Sequence, residues 1–84
     1  MKTVFYFTAE WCSPCKKTKP VVEELKKEGY QFQIIDADYE QLLAKRFKIK
    51  SIPTFILLED GKELNRISGA KTKDQLEGFI KNEQ

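Results

Sequence analysis

Two cysteines, two residues apart, are the only thiols in this chain of 84 residues: Cys12-Ser13-Pro14-Cys15. Thiols at that spacing can hold a metal, close a structural bridge, or exchange with another disulfide. Zinc usually takes four ligands, and a chain with two cysteines and no histidine cannot complete an ordinary nitrogen–sulfur site alone. An iron–sulfur cluster fails on the same count unless two chains share it. A structural bridge here would close too small a loop to stabilise much. No metal is therefore expected, and thiol–disulfide exchange is the favoured chemistry.

Exchange needs the two thiols in different positions. The run Val4-Phe5-Tyr6-Phe7 leads into the pair and reads as a buried strand, while a helical pattern leads out from Ser13. Cys12 then precedes the first helical turn. Unpaired N–H groups and the positive end of the helix dipole favour a thiolate there, and Lys16 adds positive charge. Cys15 falls about one turn into the helix, on the same side but deeper. This predicts two steps. Cys12 attacks a substrate disulfide, and Cys15 attacks Cys12 to release the reduced partner. Pro14 holds the turn between them.

The surrounding pattern supplies the frame. Ser13 and Pro14 suit the first helical positions, Val21, Val22 and Leu25 recur at helical spacing, Pro20 interrupts the ladder, and Gly29 is the predicted stop. Gln31 to Ile35 reads as a second strand, parallel to the first through a right-handed crossover. Asp38 is the predicted cap of a short helix from Tyr39 to Phe47, with Leu42 and Leu43 turned inward. Phe55 to Leu58 is a central strand. Glu59-Asp60-Gly61-Lys62 is a hairpin turn, and Glu63 to Ser68 a more polar edge strand. Thr72 and Gln75 form a capping box for a last helix carrying Leu76, Phe79 and Ile80. The order is β-α-β-α-β-β-α in one α/β domain, residues 1–84. The first and third helices are expected on one face of a mixed four-stranded sheet and the second on the other. Ligands meet such sheets at the carboxyl ends of the parallel strands, where the cysteine motif lies.

Composition bounds the setting. Forty per cent of the residues are hydrophobic and 33% charged, a folded rather than a disordered balance. A net charge of +2 gives no case for nucleic acid, and no apolar run approaches the ~20 residues of a membrane span. The N-terminal residues contain no export signal, which makes the cytoplasm the default and a catalytic pair more expected than a structural one. The basic residues Lys45, Arg46, Lys48 and Lys50 read as a solvated helix end rather than a positive rim for acidic partners. By base rate alone, Ile52–Pro53 is expected to be trans.

Glu10-Trp11-Cys12-Ser13-Pro14-Cys15-Lys16 closely resembles the thioredoxin active site, with Ser where Gly is usual. Pro20 matches that family's helix proline, Ser51-Ile52-Pro53-Thr54 its cis-proline loop, Asp60-Gly61 its hairpin, and Gly69 the glycine beside its binding surface. The resemblance runs over essentially the whole chain. It implies a minimal thioredoxin-like fold lacking the N-terminal strand and helix of full-length members, with the second strand at an exposed edge. It implies a cis Ile52–Pro53 bond against the cysteines. Trp11, Ser13, Pro14, Ile52, Pro53 and Gly69 would bind substrate around an exposed Cys12, with the Ile52 backbone pairing with it. Tyr6 stands where the family places a buried aspartate, and Ile34 where its lysine partner falls. That leaves the proton acceptor for Cys15 open between water and a Tyr6 relay.

The implied function is that of a protein disulfide reductase. No cofactor is implied. Disulfide-containing client proteins are the implied partners, with an NADPH-linked reductase of the thioredoxin reductase type as electron donor, and the chain is expected to be a monomer. The absence of His between the cysteines argues against an oxidase. Two alternatives stay open on the sequence: a glutaredoxin-like, glutathione-dependent reductase, and a binding module whose cysteines are incidental. The first lacks its usual tyrosine-containing motif and paired glycines, since Ala70 follows Gly69.

Overall fold

A computed structural model describes residues 1–81. Seven elements follow one another: β1 Lys2–Thr8, α1 Ser13–Lys27, β2 Phe32–Asp36, α2 Gln41–Arg46, β3 Thr54–Glu59, β4 Lys62–Ser68 and α3 Lys73–Lys81. The sheet order is β2-β1-β3-β4. β1 pairs with β2 in parallel and with β3 antiparallel, and β3 pairs antiparallel with β4. β2 and β4 are the edges among the described residues.

Alternation along the central strands sorts side chains onto two faces. Val4 and Tyr6 of β1 and Phe55 and Leu57 of β3 meet Val22 and Leu25 of α1 and Leu76, Phe79 and Ile80 of α3. The Tyr6 ring stacks on Phe55 with centroids 4.8 Å apart. On the other face Phe7, Ile35, Ile56 and Leu58 pack with Leu43, Ala44 and Phe47. Each helix thus lies on the face that the hydrophobic pattern assigns to it. β3 is buried along nearly its whole length because it has a sheet neighbour on both sides and a helix layer on each face.

Local signals end the helices. At the end of α1, Tyr30 N–H donates to Leu25 O and Gly29 N–H to Lys26 O, the paired bonds of a Schellman stop, with Gly29 at φ +102°. Before α3, Gln75 N–H donates to Thr72 Oγ1 and the Thr72 N–H to Gln75 Oε1, so the capping box is reciprocal. At the hairpin both Asp60 and Gly61 have positive φ, as a two-residue turn matching strand twist requires.

The second helix departs from expectation. It begins at Gln41, not Tyr39, and Asp38 does not cap it. The Asp36 carboxylate takes the local N–H groups instead, accepting from Asp38 N at 2.8 Å and Tyr39 N at 3.3 Å. That turn consumes residues 36–39 and delays the helix. Leu43, Ala44 and Phe47 then face the sheet. Leu42, one residue and ~100° around the helix from Leu43, is 86% exposed rather than turned inward. The Ile52–Pro53 bond is cis, against the base-rate reading.

Candidate active site

Four segments converge at the carboxyl end of β1. The chain leaves β1 at Thr8, passes Ala9-Glu10-Trp11, and enters α1 through Cys12. Cys12 is the N-cap of α1, with extended backbone, and its Sγ accepts the Cys15 N–H at 3.2 Å. A helix N-terminus carries N–H groups with no partner inside the helix, and here one of them is aimed at the sulfur. Pro14, in the first turn, removes an N–H that the helix could not use. Cys12 and Cys15 are joined as a disulfide with Cα atoms 5.2 Å apart.

The cis-proline loop closes over the pair from the other side. Ile52 packs against Ala9, Cys12 and Cys15, and its carbonyl oxygen lies 3.8 Å from Cys12 Sγ. Gly69, at φ +91°, donates its N–H to Pro53 O at 2.9 Å and ties the end of β4 to this loop. Thr54 Oγ1 holds Ser51 O at 2.6 Å, fixing the loop from its other end. Trp11, Ser13, Pro14, Ile52, Pro53 and Gly69 therefore lie around or beside the disulfide. One expectation changes: Cys12 is 3% exposed and Cys15 2%, so in the oxidised protein neither sulfur stands open to solvent.

Tyr6 lies below the pair. Its hydroxyl donates to the carbonyl oxygen of Cys15 at 3.1 Å. Burial pushes its pKa above the usual tyrosine value, against a smaller lowering by Thr8. Beside it an open pocket of about 470 Å³ reaches Cys15 between α1 and the β1–β2 edge, bordered by Lys16 and Asp36.

Two acidic residues have roles that local reading did not find. Asp38 accepts the Trp11 indole N–H at 2.8 Å, across 27 positions of sequence, instead of capping α2. Asp36 anchors the turn after β2 and borders the pocket. The available signal was position: Asp36 ends a parallel strand next to the motif-bearing one, where α/β sheets place functional groups.

The thioredoxin family model matches residues 1–82. The chain belongs to the thioredoxin family. Thioredoxin from Chlamydia trachomatis serovar D is 44% identical over 80 residues, covering 93% of this chain and 78% of its own. Thioredoxin NaTrxh from Nicotiana alata superposes with a TM-score of 0.90 at 40% identity, over 99% of this chain and 74% of that one. Thioredoxin from Fasciola hepatica also gives 0.90, at 35% identity, over 99% of this chain and 81% of that one. As a thioredoxin-family member with its cysteines at bonding distance, the chain is a thiol–disulfide oxidoreductase working through a dithiol, a protein disulfide reductase. That reading prevails over the glutathione-dependent and binding-module alternatives. Its partners are disulfide clients and a reductase that returns the electrons. Among the described residues, no helix is long and apolar enough to cross a membrane.

Proposed function

We propose that Cys12 is the attacking thiolate and Cys15 the resolving thiol. The observation that carries this is the Cys15 N–H aimed at Cys12 Sγ from the first turn of α1. An N–H that stabilises a thiolate lowers the pKa of that sulfur relative to the ~8.5 of a free cysteine. Among the described residues no N–H is aimed in this way at Cys15 Sγ. Lys16, bordering the pocket beside Cys15, adds positive charge to the same region.

Client binding in this reading uses the ring of Trp11, Ser13, Pro14, Ile52, Pro53 and Gly69. The Ile52 backbone offers strand-like pairing to an extended client segment, and Trp11 supplies an exposed apolar face. The donor is an NADPH-linked reductase of the thioredoxin reductase type. The protein acts in the cytoplasm as a monomeric single domain.

The deciding experiment separates the two cysteines. Cys12→Ser abolishes insulin reduction, and Cys15→Ser accumulates a covalent mixed disulfide with the client, visible on non-reducing gels. Accumulation on Cys12→Ser instead would reverse the roles. Redox equilibration checks direction: a reductant poises near about −270 to −200 mV, whereas an oxidase or isomerase sits near about −180 to −120 mV.

A further inference from the structure

A resolving cysteine must lose its proton before it can attack, and Cys15 is almost wholly buried. The pocket that reaches it has a definite construction. Parallel register sets Tyr6 beside Ile34 and Thr8 beside Asp36 on one face of the sheet, and these four form its floor. Lys16 and Lys19, one turn apart on α1, form the opposite wall with Cys15. At about 470 Å³ it has room for several waters, each needing roughly 30 Å³.

The titratable groups around it differ in what they can accept. Tyr6 is spent as a donor to Cys15 O, and burial holds it in the protonated form. Lys16 and Lys19 are donors. Glu10 sits on the exposed loop before α1. Asp36 is half-buried, and its Oδ1 is held by two backbone N–H groups, which fixes the carboxylate at the pocket margin. Asp38, Tyr39 and Glu40 face Asp36 from the following turn.

We propose that Asp36 is the proton-accepting carboxylate for the resolving step, reached from Cys15 through water in this pocket. The assignment rests on the dithiol roles given above. In the mixed disulfide, Cys12 Sγ is bonded to a client sulfur. The Cys15 thiol passes its proton through water to Asp36, and its thiolate attacks Cys12 Sγ. The Cys12–Cys15 bond forms, and the client sulfur leaves as a thiolate with the electrons of the broken bond. Asp36 releases its proton to solvent, and the client thiolate takes one up. The client gains two electrons and the protein dithiol loses two. Lys16 and Lys19 stabilise the transient Cys15 thiolate from the α1 wall that they share with it.

Stopped-flow reaction of the fully reduced protein with limiting 5,5′-dithiobis(2-nitrobenzoate) tests this. The first thionitrobenzoate release is second order and reads Cys12; the second is first order and reads Cys15. Asp36→Asn keeps an acceptor oxygen for the two N–H groups. It slows the second phase at pH 7 by about tenfold, below the 10²–10⁴ of a directly contacting base. The first phase is unchanged, and the gap closes toward pH 9.5, where hydroxide does the work. Asp36→Glu restores most of the rate, and Glu10→Gln leaves it as it was. The proposal fails if Asp36→Asn leaves the second phase unchanged, slows it equally at every pH, or if Glu10→Gln produces the slowing. Failure of the assigned cysteine roles shows separately, as trapping of client by Cys12→Ser instead of Cys15→Ser.

Discussion

The Trp11 indole N–H donates to Asp38 Oδ2 at 2.8 Å, joining the loop before Cys12 to the turn after β2. Trp11 is 68% exposed, so burial does not hold the ring in place. The bond ties a large apolar surface beside the disulfide to a second element. A ring held in one orientation loses less entropy when a client docks on it.

Asp38→Ala should therefore loosen the ring more than it destabilises the fold. An exposed interaction of this kind contributes at most about 1 kcal/mol. Trp11 is the only tryptophan, so its emission reads the change directly. Steady-state anisotropy should fall and insulin kcat/KM drop severalfold, while the urea midpoint hardly moves. Unchanged anisotropy would show that the ring is held by something else.

Gly69 makes a different kind of link. Its N–H donates to Pro53 O at 2.9 Å, its φ is +91°, and a Cβ built there meets nothing within 4 Å. Any substitution penalty is then conformational, not steric. Gly69→Ala should cost about 1–3 kcal/mol. Gly69→Asn should cost less, because asparagine tolerates positive φ better. Urea denaturation of the two variants gives the ranking, and equal costs would contradict the backbone argument.

What could be read in the sequence follows the distance over which each feature is decided. The stop at Gly29, the Asp60-Gly61 turn and the Thr72/Gln75 box involve neighbours within about one helical turn, and each forms as its residue types dictate. The order of elements along the chain followed from the apolar runs and turn signals, whereas the exposed edge at β2 came from the family resemblance and the antiparallel β1–β3 pairing is seen only in the structure. The start of α2 was not legible, because Asp36 and Asp38 compete for it and Trp11, far away in sequence, recruits Asp38. Leu42 faces solvent because it lies about 100° around α2 from the sheet-facing Leu43. The cis state of Ile52–Pro53 had no local signal, and only the family resemblance pointed to it. The pocket at Cys15 depends on the β1–β2 register and on the placement of α1, neither of which a linear pattern reveals.

The capping box at α3 secures the helix that brings Leu76, Phe79 and Ile80 onto the sheet. Thr72→Ala removes the acceptor for Gln75 N–H and should cost about 1 kcal/mol. In a domain of this size that lowers Tm by roughly 4–8 °C. Thr72→Ser keeps the oxygen and should recover most of the loss. Calorimetry checks both, and insulin reduction at 25 °C should be unaffected, since the cap lies outside the groups around the disulfide.

Tyr6 couples the site to alkaline stability. Its hydroxyl is buried, donates to Cys15 O, and has a pKa raised above 10.0, first by burial. The folded protein then holds this proton more tightly than the unfolded chain, so the stabilisation is complete below pH 10 and is lost as the pH climbs from 10 through the raised folded value. Tyr6→Phe should cost about 0.5–1.5 kcal/mol at pH 7 for the lost hydrogen bond. The difference between wild type and variant should narrow above pH 10, because only the wild type has this proton to lose. Urea midpoints at pH 8 and pH 10.5 test it. A gap that stays constant across that range would mean that the hydroxyl does not titrate with folding. In the thiol assay at pH 7, the second-phase rate of Tyr6→Phe should stay within about threefold of wild type, since the hydroxyl serves the Cys15 carbonyl and not its proton; a tenfold loss, on the scale of a lost base, would make Tyr6 a relay after all.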